Sequence, residues 1–344
     1  MIKETPSPVL LDVGELTVEY GSGEDAVRAV DGVSFQLRRG EILGVAGESG
    51  SGKSTLMTAV TRLQRPPARI ASGSVTYHPG GSGSGIDLLA STPAELRELR
   101  WESLAVVFQS AMAALNPVMR LGAQFVDAIR AHRRVGRKEA WSRAEELLDL
   151  VGIPTNRVRS YPHELSGGMR QRATIALALA CEPEIIVMDE PTTAVDVVMQ
   201  RQIVHRLMRL RRQFGFAIVF VTHDLSLLVE LADRIMVMYA GRIVELGSAS
   251  AIYRDPRHPY SQGLRDSFPP LHGPLRELRG IPGSPPDLRA LPTGCAFQPR
   301  CPKRLPECAS TRPELPLLVE HGAACLLQRS ADQATVDESE AVSR

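Results

Sequence analysis

Three short stretches of this chain carry residues that could handle a phosphate ester. Gly47-Glu48-Ser49-Gly50-Ser51-Gly52-Lys53-Ser54 fits the spacing G-x-x-x-x-G-K-[ST]. Its glycines let backbone N–H groups turn toward phosphate oxygens, Lys53 brings a point charge to the β and γ phosphates, and Ser54 offers a hydroxyl to Mg²⁺. The ATP-contacting set expected from this loop is Gly47, Ser49, Gly50, Gly52, Lys53, Ser54 and Thr55. The second stretch, Ile185-Ile186-Val187-Met188-Asp189-Glu190, is an apolar strand ending in two carboxylates. Successive strand residues point to opposite faces, so the two acids have different tasks. Asp189 is expected to hold Mg²⁺ through its water shell, and Glu190 to face the attacking water as general base. The third, Leu165-Ser166-Gly167-Gly168-Met169-Arg170-Gln171-Arg172, is a Gly-rich turn opening a helix. Its free N–H groups can hold an anion. With a first phosphate site in place, the simplest use for a second is a dimer in which each subunit closes over its partner's ATP.

These residues need a scaffold. The phosphate loop works only between a strand and a helix, and residues 41–47 and 53–63 read as both. Residues 9–46 alternate apolar and polar side chains, the mark of antiparallel strands. Residues 165–245 alternate strand and helix patterns, which implies a mainly parallel sheet. Residues 93–160 are mostly helical and charged, so a helical insert separates the two phosphate elements. The run at 80–85 (Gly-Gly-Ser-Gly-Ser-Gly) is a hairpin tip. Residues 256–316 hold 14 of the 25 prolines. That stretch excludes a regular helix or a central strand and reads as a separate, loop-rich appendage. The acidic residues 329–344 read as a disordered tail. No internal repeat is present.

The 344 residues suffice for one large domain and a smaller one. A formal net charge of +1 gives no global field for nucleic acid. No apolar run reaches the length needed to span a bilayer, and the first residues lack an apolar signal region. A cytosolic location is expected, with any membrane role exercised through partners. Cysteines in that compartment read as metal ligands or core before disulfides. Cys295, Cys301, Cys308 and Cys325 crowd the appendage, whereas Cys181 sits on an apolar helix and reads as core. The four lack the tight C-x₂₋₄-C pair usual for zinc. Their wider spacing suits a four-iron, four-sulfur (4Fe-4S) cluster, with zinc or free thiols as alternatives.

In order along the chain, the phosphate loop, Gln109, the turn at 165–172, the strand at 185–190, Asp196 and His223 resemble the ATP-binding cassette family. The resemblance implies an α/β P-loop NTPase fold: a RecA-like parallel sheet core, an antiparallel β subdomain and a helical subdomain, here followed by a Cys-containing C-terminal extension. The boundaries it suggests are a nucleotide-binding domain at 9–254, with its helical part at about 93–165, and an extension at 255–328. It also implies roles. Tyr20 stacks on adenine, although a cross-strand packing role is the other reading. Gln109 contacts Mg²⁺ and the membrane partner. Ser166, Gly167, Gly168 and Gln171 grip the ATP held by the other subunit. Asp196 lies at the subunit seam or merely caps a helix. His223 fixes the γ-phosphate.

Leu115-Asn116-Pro117, Glu190-Pro191-Thr192-Thr193 and His258-Pro259-Tyr260 look like the peptide-importer branch. That resemblance implies an ATPase subunit on the cytoplasmic face of the cell membrane. Its expected partners are a second cassette subunit (a paralogue or another copy), two transmembrane permeases and, indirectly, an extracytoplasmic peptide-binding protein, with no nucleic acid. Nickel or another small solute is the alternative cargo, and an iron–sulfur redox-sensing ATPase the alternative function. A non-transport cassette is disfavoured by the single cassette and the lack of sustained heptads. Two departures stand out: Ser110-Ala111 where the branch has an acid and a proline, and Val195 where leucine is usual.

Overall fold

The computed structural model describes residues 7–108, 114–192, 195–268, 280–316 and 320–328. Two sheets organise it. The first is antiparallel, built from β1 (Val9–Tyr20), β2 (Val27–Arg38), β4 (Ala68–Tyr77) and β5 (Ile86–Asp87), in the order β2-β1-β4-β5. The Gly-rich run at 80–85 is the connection between β4 and β5, as its composition predicts.

The second sheet has seven strands. β3 (Ile42–Ala46), β6 (Leu104–Val107), β7 (Ile185–Asp189), β8 (Ala217–Val221) and β9 (Arg234–Tyr239) run parallel. β10 (Arg242–Ser248) and β11 (Gly322–Ala323) add antiparallel strands at one edge, in the order β11-β10-β9-β3-β8-β7-β6. The parallel strands are apolar throughout because both faces are covered. Ile186, Met188, Ile218, Phe220, Ile235 and Val237 enter one core, while Ile185, Val187, Val219, Val221, Met236 and Met238 enter the other. That division is the period of two along each strand.

The second of these cores lies between the two sheets and includes α1 (Lys53–Val60). The first takes in helices on the opposite face. α3 (Leu121–His132) packs on α4 (Arg137–Leu150) in the insert, whereas α2 (Pro93–Glu102), which precedes β6, contributes Leu96 to the second core. α5 (Gly167–Ala178), α6 (Val197–Phe214) and α7 (Leu225–Leu231) are the crossovers of the parallel sheet. Each start is explained locally. Ser166, Asp196 and Asp224 accept hydrogen bonds from the N–H groups of Met169, Met199 and Leu227, satisfying one orphan donor per helix. Gly215, at φ 72°, ends α6 in the left-handed conformation where glycine costs least.

Three details differ from the sequence reading. Residues 93–160 include β6, an edge strand of the parallel sheet that follows α2, so the segment is not helical throughout. Four residues between charged helices are too short to show a period. The Pro-rich segment contains a regular helix after all, α9 (Pro259–Asp266), which follows α8 (Ala249–Arg254). Pro259 is its first residue, where the missing N–H would have no intrahelical partner anyway. Finally, the appendage is not separate: β11 pairs with β10, and Tyr260, Leu264 and Phe297 are buried in the main core. The tail at 329–344 lies outside the described residues.

Candidate active site

The loop between β3 and α1 is shaped by its glycines. Gly50 and Gly52 take φ of 80° and 99°. A Cβ on Gly52 would meet the Ala29 carbonyl oxygen at 2.2 Å, so the loop passes tightly against β2. α1 begins at Lys53, leaving the amides of its first turn directed out of the helix toward the loop. Lys53 is 5% exposed, and its ammonium donates to the carbonyls of Gly47 (2.7 Å) and Glu48 (2.8 Å) and to Ser51 Oγ (3.3 Å). Burial pushes its pKa below the usual lysine value, while Glu190, Asp189 and Glu48 pull it back up.

Asp189, the last residue of β7, is buried. Burial raises its pKa; a hydrogen bond from Ser54 opposes that shift. One of its oxygens, Oδ1, has no hydrogen-bond partner among the described residues. A buried carboxylate oxygen left over beside a serine hydroxyl suits a hard divalent cation with oxygen ligands. β7 stops there, and Glu190 takes a left-handed φ of 45°. Such a conformation is costly for a non-glycine residue and is concentrated at functional sites. The backbone turn, as well as strand alternation, therefore separates the two carboxylates. The Glu190 amide donates to the Val221 carbonyl at 2.9 Å, and Glu190 Oε1 lies 3.3 Å from Nδ1 of His223, just beyond β8.

Lys53, Ser54, Thr55, Ser49, Gly50, Gly52, Glu190 and Tyr20 all line one open cavity of about 640 Å³, within the range of small-molecule pockets. Tyr20, at the end of β1, is 38% exposed, and its hydroxyl is 3.2 Å from Thr55 Oγ1. Its ring is thus partly exposed at the wall of that cavity. The turn at 166–168 is not among the lining residues. Ser166 is exposed, Gly168 is buried against Met199, and Gln171, at 3% exposure, sits beneath the turn instead of on its outer surface. Asp196 is exposed and caps α6. Gln109, Ser110, Ala111, Thr193 and Ala194 lie outside the described residues.

Sequence reasoning missed the contributions of seven residues, all from or toward the extension. Pro286, Asp287, Leu288 and Arg289 line the same cavity. Glu48 and its partners Arg300 and Tyr260 hold the loop from behind. Glu48 falls at an unrestricted position of the loop motif, and nothing near Arg300 in sequence marks it.

The four appendage cysteines converge. Cys295, Cys301, Cys308 and Cys325 line one small cavity, and none is in a disulfide. Burial raises the thiols of Cys295 and Cys301 and pushes that of Cys325 up to about 11. Yet among the described residues no group of three or more His, Cys, Asp or Glu side chains is disposed to hold a metal ion. The expected ligand set is gathered at one cavity, but no metal-holding geometry, for zinc or for a cluster, is formed there among the described residues. Cys181 is core, as expected, its thiol pushed up to about 11 by burial.

A phosphate loop on a parallel sheet, a histidine beyond the neighbouring strand β8 and a carboxylate pair at the end of β7, one strand further out, define an ATP-binding cassette ATPase. Comparison with known proteins agrees. The chain matches the ABC transporter family over residues 30–193 and the oligopeptide/dipeptide transporter C-terminal region over residues 244–308. It is 43% identical over 310 residues to the oligopeptide transport ATP-binding protein OppD of Salmonella typhimurium, covering 90% of each chain. Against the protein of that name from Escherichia coli it is 42% identical over 314 residues, covering 91% of each. Its fold matches a dimeric post-hydrolysis structure of the ATP-binding cassette MJ0796 bound to ADP and Pi, with TM-score 0.61 and 28% identity over 70% of this chain and 99% of that one. This chain belongs to the ATP-binding cassette transporter family, in the branch of the oligopeptide transport ATP-binding proteins.

Proposed function

We propose that the chain is the ATP-hydrolysing subunit that powers import of small peptides through a pair of membrane permeases. The observation that carries this reading is a half-site. Lys53, Ser54, Tyr20 and Glu190 share one open cavity, while the second Gly-rich turn lies outside its lining with Ser166 exposed. A partner's turn would complete each pocket.

In this mechanism the amides of the loop cradle the phosphates of ATP, and Lys53 leaves its carbonyl partners to neutralise the β and γ oxygens. Ser54 and Asp189 would hold Mg²⁺, which supplies charge neutralisation on the phosphates when bound. Gln109 would join them from the start of the helical insert. An ionised Glu190 only accepts hydrogen bonds, so His223 presents its Nδ1–H to it. His223 thereby orients the carboxylate that takes a proton from the attacking water. Ser166, Gly167 and Gly168 of one subunit grip the γ-phosphate held by the other, with Gln171 supporting the turn from below and Asp196 at the seam. ATP shifts the pair from open to closed because its contacts differ between the two states. The insert passes that motion to the permeases.

The partner cassette is a paralogue or a second copy; the mass of the purified complex distinguishes them. No helix among the described residues is long and apolar enough to cross a membrane, in keeping with a peripheral subunit on the cytoplasmic face. The decisive experiment is peptide uptake by vesicles carrying the whole complex. ATP-driven uptake by wild type that disappears with Glu190→Gln is expected; equal uptake by both would end this reading.

We further propose that the four cysteines hold a 4Fe-4S cluster. The observation behind it is the convergence of all four on one cavity, with none of them in a disulfide. Such a cluster would tie Pro-rich loops that bury little core of their own. Anaerobic purification followed by iron and acid-labile sulfide analysis should find about four of each per chain. Zinc alone, or no metal, would overturn the assignment.

A further inference from the structure

Glu48 sits inside the phosphate loop, yet every polar group it owns is engaged. Its backbone N–H donates to Tyr260 Oη at 2.8 Å. Its carbonyl accepts from Lys53 Nζ at 2.8 Å and from the Ser51 amide at 3.2 Å. Its carboxylate takes a two-pronged pair from Arg300, Nη1 to Oε2 at 2.6 Å and Nη2 to Oε1 at 3.0 Å. Fork-to-fork pairing of this kind fixes direction as well as distance.

The clamp itself is rigid. The Arg300 side chain is 6% exposed. Its Nε donates to the Pro282 carbonyl at 2.7 Å, and its guanidinium carbon lies 5.8 Å from the Tyr239 ring centroid and 6.0 Å from that of Phe297. Tyr260 is fully buried and packs on Tyr239 and Phe297, with centroids 4.6 and 5.4 Å away. Both clamp residues come from the C-terminal extension, and Arg300 directly precedes Cys301. The extension also lines the nucleotide cavity through residues 286–289.

We infer that Arg300 and Tyr260 are positioning residues for the phosphates of ATP, acting through Glu48. Glycines leave a phosphate loop free to adopt many shapes, and only one aims its amides at the ligand. Glu48 is the one long side chain among residues 47–52. Fixing it from outside selects that shape and sets where the Lys53 ammonium starts. The extension is thus part of the ATP site, not an accessory attached to it. This inference rests on the ATPase reading.

The test uses the full chain in its assembled transporter, with ATPase kinetics for Arg300→Met, Arg300→Lys, Tyr260→Phe, Glu48→Gln and the double variant Glu48→Gln/Arg300→Met. Arg300→Met should raise KM for ATP by about tenfold, with a far smaller change in kcat, because a charged hydrogen-bonded pair is lost behind the loop. Arg300→Lys should restore part of the loss, since it keeps the charge but not the fork. The double variant should be no worse than the poorer single one. Thermal midpoints and cysteine-bound metal content identify any variant whose extension has come apart; in that event Tyr260→Phe, which removes only one oxygen, carries the test through a several-fold rise in KM. An unchanged KM in folded Arg300→Met, or fully additive effects of Glu48→Gln and Arg300→Met, would overturn the inference. A wild-type complex without ATP hydrolysis would strike the ATPase reading itself.

Discussion

Nδ1 of His223 and Oε1 of Glu190 lie 3.3 Å apart, across 33 positions of sequence. The contact joins the ends of β7 and β8 and holds a carboxylate whose own backbone is in a costly conformation. If Glu190 removes a proton from water, Glu190→Gln should lower kcat by about a hundredfold or more, while ATP binding persists. His223→Ala should also lose rate, with Glu190 present but no longer oriented. Single-turnover ATP hydrolysis beside equilibrium nucleotide binding checks both. A Glu190→Gln enzyme turning over at the wild-type rate would remove the general base from the mechanism.

Gly52 offers a backbone test. At φ 99°, with the Ala29 carbonyl 2.2 Å from where a Cβ would stand, Gly52→Ala must push the loop off β2. The expected loss of stability exceeds about 1 kcal/mol, and the thermal shift produced by MgATP should vanish with it. Differential scanning calorimetry with and without nucleotide reads both. Gly50 is the control: its φ is also positive, but no atom lies within 4 Å of its would-be Cβ, so Gly50→Ala should be the milder change.

Tyr20 separates stacking from hydrogen bonding. Tyr20→Phe keeps the ring and loses the contact with Thr55; ATP affinity should hold. Tyr20→Ala should cost about 1–3 kcal/mol, the usual scale for an aromatic ring stacked on a base. Titration with a fluorescent ATP analogue measures this, and equal losses in the two variants would argue against stacking.

The extension should be acid-labile. His258 is 2% exposed, and burial pushes its pKa down to about 4 from 6.5, against the opposing pull of Glu245. The folded state therefore resists a proton that the unfolded state accepts below about pH 6.5. Stability from the neutral ring is complete above that pH and declines as pH falls toward 4, by up to about 3 kcal/mol. Glu245 acts in the same direction: hydrogen bonds from His321 and the Arg257 and His258 amides outweigh burial and hold its carboxyl below the usual value. Its contribution is present at neutral pH and lost in acid. Urea midpoints from pH 7 to pH 5 should fall, and His258→Asn, which can still cap α9, should flatten the slope.

The sequence exposed the chemistry where one contiguous stretch performs it. A phosphate loop, a capped Gly-rich turn and an apolar strand ending in acids are each local devices, so their elements and the parallel sheet could be read directly. What stayed hidden depends on distance or brevity. Glu48 and Arg300 are 252 positions apart, and both are residue types ordinarily found on surfaces. β6 and β11 are four and two residues long, too short for any period to emerge. Proline content hid α9, because a count of prolines does not reveal that Pro259 occupies the one helical position that tolerates it. The convergence of the cysteines was legible, but their actual spacing was not.

β11 is two residues long, yet it runs beside Glu245 and Leu246 at the border of the seven-stranded sheet. Without it, β10 would offer unpaired amides and carbonyls to any neighbouring chain, the kind of template on which proteins aggregate. A chain cut before residue 320 should therefore clump through this exposed rim, even where its nucleotide pocket still forms.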